Sequence, residues 1–138
     1  MDGIAISTAR TMVQVNAGST AALEIIRATV SFNSTTSSAQ EVGLKRISTA
    51  GTGTSATPTQ INTGRSVAAT ATVNHTAEGT LDVVLMREWI NALAGWTYLP
   101  VPEERVLLAP SARIALYFPT APGSSITVNA TLLFGEIG

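Results

Sequence analysis

Apolar and polar positions alternate with period two along several stretches of this chain, the pattern of strands that bury one face. Over residues 23–32, Ile26, Ala28, Val30 and Phe32 alternate with Arg27, Thr29 and Ser31, which predicts a half-buried strand. Val67, Ala69, Ala71 and Val73 alternate with Ala68, Thr70 and Thr72 and predict a second, closed by a turn in the NHTAEGT stretch. Further on, Ala112, Ile114, Leu116 and Phe118 alternate with Arg113, Ala115 and Tyr117, and Ile126, Val128, Ala130, Leu132 and Phe134 repeat the pattern. Pro122, Gly123, Ser124 and Ser125 supply turn chemistry between these two runs, so they are expected to form a hairpin. Within residues 41–48, Val42 and Leu44 stand against Glu41 and Lys45 until Ile47 breaks the alternation, a slip that a β-bulge would produce.

The remaining segments are less regular. Residues 1–20 mix the short apolar runs 4–6 and 12–15 with small polar spacers, and read as an extended N-terminal arm with one short strand at most. NSTTSS over residues 33–38 is a polar turn cluster. Residues 49–64 hold three glycines, one proline and almost nothing apolar, which predicts a long loop. In 81–94, Leu81, Val83 and Leu85 fit a strand, whereas Leu81, Val84, Leu85, Trp89 and Leu93 approximate a helical stripe. The favoured reading is a strand to Met86 and an irregular or single-turn connection over 87–94. Trp96, Tyr98, Pro100 and Pro102 then punctuate an extended run that suits a sheet edge or rim. Seven or eight short strands, with no strand-helix alternation and no fixed-period repeat, predict an all-β antiparallel sandwich of jelly-roll type. It would occupy 21–138 as one domain behind the arm of 1–20.

Composition narrows the function classes. The 138 residues carry a net charge of −1, and only 12% are charged, so neither an acidic disordered tail nor an electrostatic nucleic-acid binder fits. Twenty threonines and twelve serines coat the chain instead, and Lys45 is its one lysine. Threonine is β-branched and suits a pleated face. Such a surface loses little side-chain entropy and little charge hydration when covered, which favours permanent assembly. There are no cysteines and one histidine, which argues against disulfides, thiol chemistry and zinc. The N-terminal stretch does not read as a signal peptide and no apolar run is long enough for a membrane helix, so a soluble protein without membrane contact is expected.

No catalytic constellation emerges, so an enzyme is not expected, nor is any cofactor. His75 follows Asn74 in a predicted turn with no metal-ligand neighbours, and reads as a surface histidine. Glu103 and Glu104 are adjacent, but neighbours in an extended run point opposite ways, so a local ion pair with Arg105 or a subunit contact is the simpler reading. Arg27, Arg87, Arg105 and Arg113 are scattered without aromatic partners, unlike a single-strand nucleic-acid groove. The Gly-x-Gly of GTGTSATPTQ lacks the third glycine and the helix of a phosphate cradle. What stands out is aromatic: Trp89, Trp96 and Tyr98 fall within ten residues, beside Leu99, Pro100, Pro102, Glu103 and Arg105. These residues suit the anchors of a protein interface or a satellite core capping one end of the sandwich, with a carbohydrate platform as a third use.

The run Ala94, Gly95, Trp96, Tyr98, Pro100, Pro102, Glu103, Glu104 and Arg105, with the later strand ending in Ala-Pro and the closing strand ITVNATLLFGEIG, resembles small virion proteins of tailed bacteriophages, among them head decoration or cement proteins. The likeness is specific over residues 81–138 and compositional before them. It implies a jelly-roll homotrimer on the capsid exterior of the virion, clamping major capsid protein subunits at threefold and quasi-threefold positions without making or breaking a bond. The rim 96–105 and the N-terminal arm would then be the subunit or capsid contacts. A tail or neck component of the virion is the nearest alternative. A jelly-roll carbohydrate-binding module, whose sugar binding would be lost on Trp96→Ala, is an alternative from another class.

Overall fold

In the computed structural model, which describes residues 1–61, 64 and 66–138, the protein is an all-β sandwich of two antiparallel sheets. Eleven strands form among the described residues: β1 (Ile4–Ile6), β2 (Arg10–Asn16), β3 (Ala22–Asn33), β4 (Ala39–Thr49), β5 (Thr52–Ala56), β6 (Thr70–Ala77), β7 (Thr80–Asn91), β8 (Trp96–Tyr98), β9 (Leu107–Leu108), β10 (Arg113–Phe118) and β11 (Ile126–Ile137). One sheet has the order β1-β11-β3, with β8 and β9 both paired to the far side of β3; the other runs β5-β6-β2-β10-β4-β7. The alternating apolar residues meet between them. Ala28 and Val30 of β3 and Val128 and Ala130 of β11 face Val13 and Val15 of β2, Ile114 and Leu116 of β10 and Val42 and Leu44 of β4, all buried. Burying each of the larger side chains stabilises the fold by about 1.5–3 kcal/mol, and this common interior holds the two sheets together.

Several expectations from the sequence need correction. Residues 1–20 are not an appended arm. β1 pairs with β11, and β2 lies in the middle of the larger sheet between β6 and β10. Met12 is an extra residue in β2, since Leu116 pairs with Val13 but Tyr117 with Thr11, and this bulge hides the alternation. The expected hairpin over 112–134 is not one: β10 and β11 belong to different sheets, so PGSS carries the chain across the sandwich. The strand expected over 67–73 and the turn after it shift, with β6 running to Ala77 and the chain reversing at Glu78 and Gly79. β7 continues to Asn91 as a strand where an irregular connection over 87–94 was expected. The bulge expected in 41–48 is present: the register shifts after Ile47, where Ser48 is the extra residue of β4, and also after Leu44 and Arg46, where the extra residues, Leu85 and Asp82, lie on the partner strand β7.

The expected loop over 49–64 contains β5, which extends the larger sheet at the border opposite β7. β4 leads into β5 and β6 into β7, each across a two-residue break, and the breaks face each other, with Thr49 paired to Thr80 and Thr52 to Ala77. The two form one long ribbon. Its β4 half pairs with β10 and its β6 half with β2, while β2 and β10 pair with each other. The ribbon therefore arches over the outer face of the larger sheet, which explains why Thr11, Gln14, Lys45 and Ala115 on that face are buried. Residues 62, 63 and 65, which include the end of the expected loop, lie outside the described residues.

Candidate interaction surface

β7 forms one border of the larger sheet, paired to β4 on one side and to no other strand among the described residues. Every position in it except Met86 and Ile90 is exposed. Leu81, Val83, Val84 and Leu85 make an exposed aliphatic run, and Trp89 is 62% exposed. A free strand edge invites pairing with another chain, and monomeric proteins usually blunt it with lysine, proline, shortness or bulges. β7 has twelve residues and neither lysine nor proline. Its charged side chains are engaged within the chain: Asp82 with Arg46 at 3.2 Å, Arg87 with Glu41 at 3.1 Å, and Glu88 accepting from Trp96 Nε1 at 2.7 Å. The bulges at Asp82 and Leu85 are the remaining protection.

The aromatic cluster of the sequence divides. Trp96 is buried, paired with Val30 of β3, stacked on Tyr98 at 6.3 Å between centroids, and bonded to Glu88. That indole bond ties the border of the smaller sheet to β7. Trp89 follows Glu88 and so points to the other face of β7, beside Glu41 on β4 and a shallow pocket lined by Ser37, Ser38, Ala39, Ile90 and Asn91. Tyr98 donates its hydroxyl to the Glu104 carbonyl at 3.3 Å, and burial, with the Glu104 charge, raises its phenol above the ordinary range. Leu99 and Val101 are exposed, Pro100 is half-buried, and Pro102, Glu103 and Glu104 form an exposed 3-10 turn. Arg105 pairs with Glu24 of β3 at 3.3 Å, so the expected local pair with Glu103 or Glu104 gives way to a link between the rim and the sheet. Trp96 and Tyr98 are thus fold residues, while Trp89, Leu99, Pro102 and Glu103 are available to a partner.

Two substitutions separate these roles. Trp96→Phe replaces the indole with a smaller aromatic ring that cannot donate to Glu88, and is expected to lower the unfolding free energy by at least about 1 kcal/mol. Trp89→Ala is expected to change it by less than about 0.5 kcal/mol. Urea unfolding of both variants checks the ordering.

The sequence reading missed a second set of residues, the polar group under the ribbon. Lys45 Nζ donates to Glu78 Oε2 at 2.7 Å, and the Thr11 amide and hydroxyl donate to the same carboxylate at 2.6 Å each. Burial alone would raise the Glu78 carboxyl; the hydrogen bonds from Lys45 and Thr11 outweigh it and hold it below the usual carboxylate range. Lys45 also lies 4.3 Å from the centre of the Tyr117 ring, a cation-π contact. The Gly51 amide donates to Gln14 Oε1 at 3.2 Å. His75, expected at the surface, is buried at 2% exposure with Nε2 2.9 Å from the Thr72 hydroxyl. Two signals could have pointed here. A lone lysine directly after Leu44 and two residues before Ile47 is out of place on a solvated face, and Gly51 and Gly53 leave room for a ring.

The Thr72 and His75 pair is a hydroxyl beside an imidazole, but the ring is enclosed, and among the described residues none bonds to its Nδ1 as the orienting third group of a nucleophile-base set would. Among the described residues no three histidine, aspartate or glutamate side chains come together as a metal site, and no helix is long and apolar enough to cross a membrane. Comparison with known proteins adds no assignment. No family model, curated protein or solved structure matches this chain.

Proposed function

We propose that the protein is a structural subunit of a tailed-phage virion, a head decoration or cement protein that assembles as a homotrimer and fastens neighbouring major capsid subunits from the outside. The observation that carries this reading is the β7 border, a twelve-residue strand whose outer edge meets no other strand among the described residues and which carries exposed aliphatic side chains and Trp89. Covering that border with a neighbouring chain buries apolar surface, at about 25 cal/mol per Å², and satisfies amides that otherwise face water. The charge-poor, hydroxyl-rich composition supports the same reading, because a fastener that is never released benefits from a surface that is cheap to dehydrate.

Jelly-roll topology is the finer form of this proposal. Support comes from the chain path, which passes between the sheets after β1, β2, β3, β7, β9 and β10, and from the adjacency of its first and last strands. The contacts with the capsid lattice and with sister subunits are assigned to β7 with Trp89 and to the exposed part of the rim, Leu99, Val101, Pro102 and Glu103. The first twenty residues take no part as a free arm, since their strands are built into both sheets.

Quantitative mass spectrometry of purified virions, with antibody labelling to place the protein, tests the proposal. The expected result is a copy number comparable to that of the major capsid protein, with label on the head. A few copies per particle at the neck or tail would replace it with the tail-component reading, and absence from particles would end both. Trp89→Ala, which leaves the fold intact, is expected to lower occupancy on the head.

A further inference from the structure

The ribbon over the larger sheet is closed around a titratable ring. β6 bulges where it faces β5: Thr54 pairs with Val73 but Thr52 with Ala77, so β6 spends two extra residues there. Asn74 makes the bend at φ +49°, a conformation asparagine tolerates better than most residues, and its side chain accepts from Arg10 Nη1 at 2.8 Å. The bend turns His75 in beneath β5. A Cβ at Gly51 would sit 2.5 Å from His75 Nδ1, and one at Gly53 would sit 2.5 Å from its Cδ2, so the imidazole lies directly against the backbone of this segment. Nδ1 is buried, with no hydrogen-bond partner among the described residues.

We infer that His75 is a proton-operated latch: protonation of its enclosed ring releases β5 and the Glu78–Gly79 corner from the outer face of the larger sheet while the sandwich stays folded. The ring is packed against glycine backbone on one side, so a cation there has no water and no room for it. The groups around it compensate only in part. β5 contributes no charged residue, and β2 brings the neutral Thr11 and Gln14 together with Arg10, which is held by Asn74. β4 brings the Lys45 cation, β10 places Tyr117 against that lysine, and Glu78 at the corner is already bound to Lys45 and Thr11. β5 is a sheet border held on one side by β6, so it can leave without unravelling the core.

Burial sets the direction of the pH dependence. It holds His75 below the ordinary histidine range, with the Lys45 charge adding to that and the Glu78 charge and Ala77 carbonyl opposing it. A histidine with a depressed value in the closed state binds its proton more readily when open. The closed form therefore loses stability as pH falls below about 6.5 and keeps losing it down to the depressed value. Glu78, also depressed in the closed state, adds a second loss that begins near pH 4.3 and below. Both act in the same direction, in separate windows.

Hydrogen exchange of the intact protein between pH 7.5 and 5, corrected for intrinsic exchange, tests the latch. Protection of residues 52–56 and of the corner is expected to fall at least tenfold, while β3 and β11 keep theirs. His75→Phe, which retains a planar ring but cannot titrate, is expected to abolish that selective loss. Should the variant fold poorly, the imidazole resonances of the wild-type protein decide alone, and are expected to titrate below the ordinary histidine value. An ordinary or raised value, equal loss of protection in all strands, or the same selective loss in His75→Phe would each overturn the inference. The latch is independent of the virion reading, because none of these measurements involves assembly.

Discussion

Phe118→Ala is expected to lower the unfolding free energy by about 3–5 kcal/mol. Phe118 is the last residue of β10, is 1% exposed, and packs against Phe32 with ring centroids 6.0 Å apart. Phe32 belongs to β3 in the opposite sheet, so this contact spans the sandwich just before the chain crosses from β10 to β11. Truncation opens a cavity between two sheets whose backbones are fixed there by pairing, Phe118 with Arg10 of β2 and Phe32 with Val128 of β11, which limits how far either can move in to fill it. Against a total stability of about 5–15 kcal/mol for an ordinary domain, the loss is large enough to shift the urea midpoint far down with little change in slope. A loss under about 1 kcal/mol would mean that the two rings do not meet in a packed interior.

Glu78→Ala is expected to be the next most damaging change, at about 2–3 kcal/mol. It removes the acceptor for Lys45 and for both donors of Thr11, leaving an ammonium with only 9% of its side chain exposed. Breaking a fully buried ion pair from one side costs about 3–5 kcal/mol. The Glu78 side chain is 39% exposed, so water replaces part of what is lost and the figure is reduced accordingly. Lys45→Met in the Glu78→Ala background is expected to recover part of the stability, because the stranded charge goes with it. Urea unfolding of the two variants gives the comparison, and equal stability of single and double variants would show that Lys45 was never dependent on Glu78.

The strands that sequence pattern reveals well are those with one face on the common interior. β3 is the clearest case: Ala28 and Val30 are buried as the alternation predicts, but Ile26 is an extra residue between Ile25 and Arg27, which pair with Phe134 and Leu133 of β11, so before it the buried positions are Leu23 and Ile25 instead of Ile26. β7 misleads because its bulges at Leu85 and Asp82 break period two twice, which brings Leu81, Val84, Leu85 and Trp89 into a spacing that imitates a helix. β5 has almost nothing apolar to bury and is held by backbone pairing with β6, so no side-chain pattern announces it. The turn before β11 was legible, but the residues of a tight hairpin and of an arch between sheets are the same, and only long-range pairing tells them apart. Of the candidate surface, the concentration of aromatic residues in the sequence falls where β7 and β8 border the two sheets. Trp89 and Trp96 differ in fate because one precedes and the other follows the turn at 92–95, after which the chain changes sheets. The lone lysine and the two glycines hint at a polar set under the ribbon, but its membership is not legible, since Thr11, Lys45, His75 and Glu78 are far apart in sequence and meet only when the ribbon folds over.

The mass of the purified protein at micromolar concentration, measured by light scattering behind a sizing column, tests most directly whether it is built to be covered by its own kind. A subunit of 14.3 kDa that assembles as proposed gives a single species of three times that mass, stable to dilution, and Trp89→Ala shifts it toward smaller species. A species that remains at the mass of one chain across the concentration range would contradict the account.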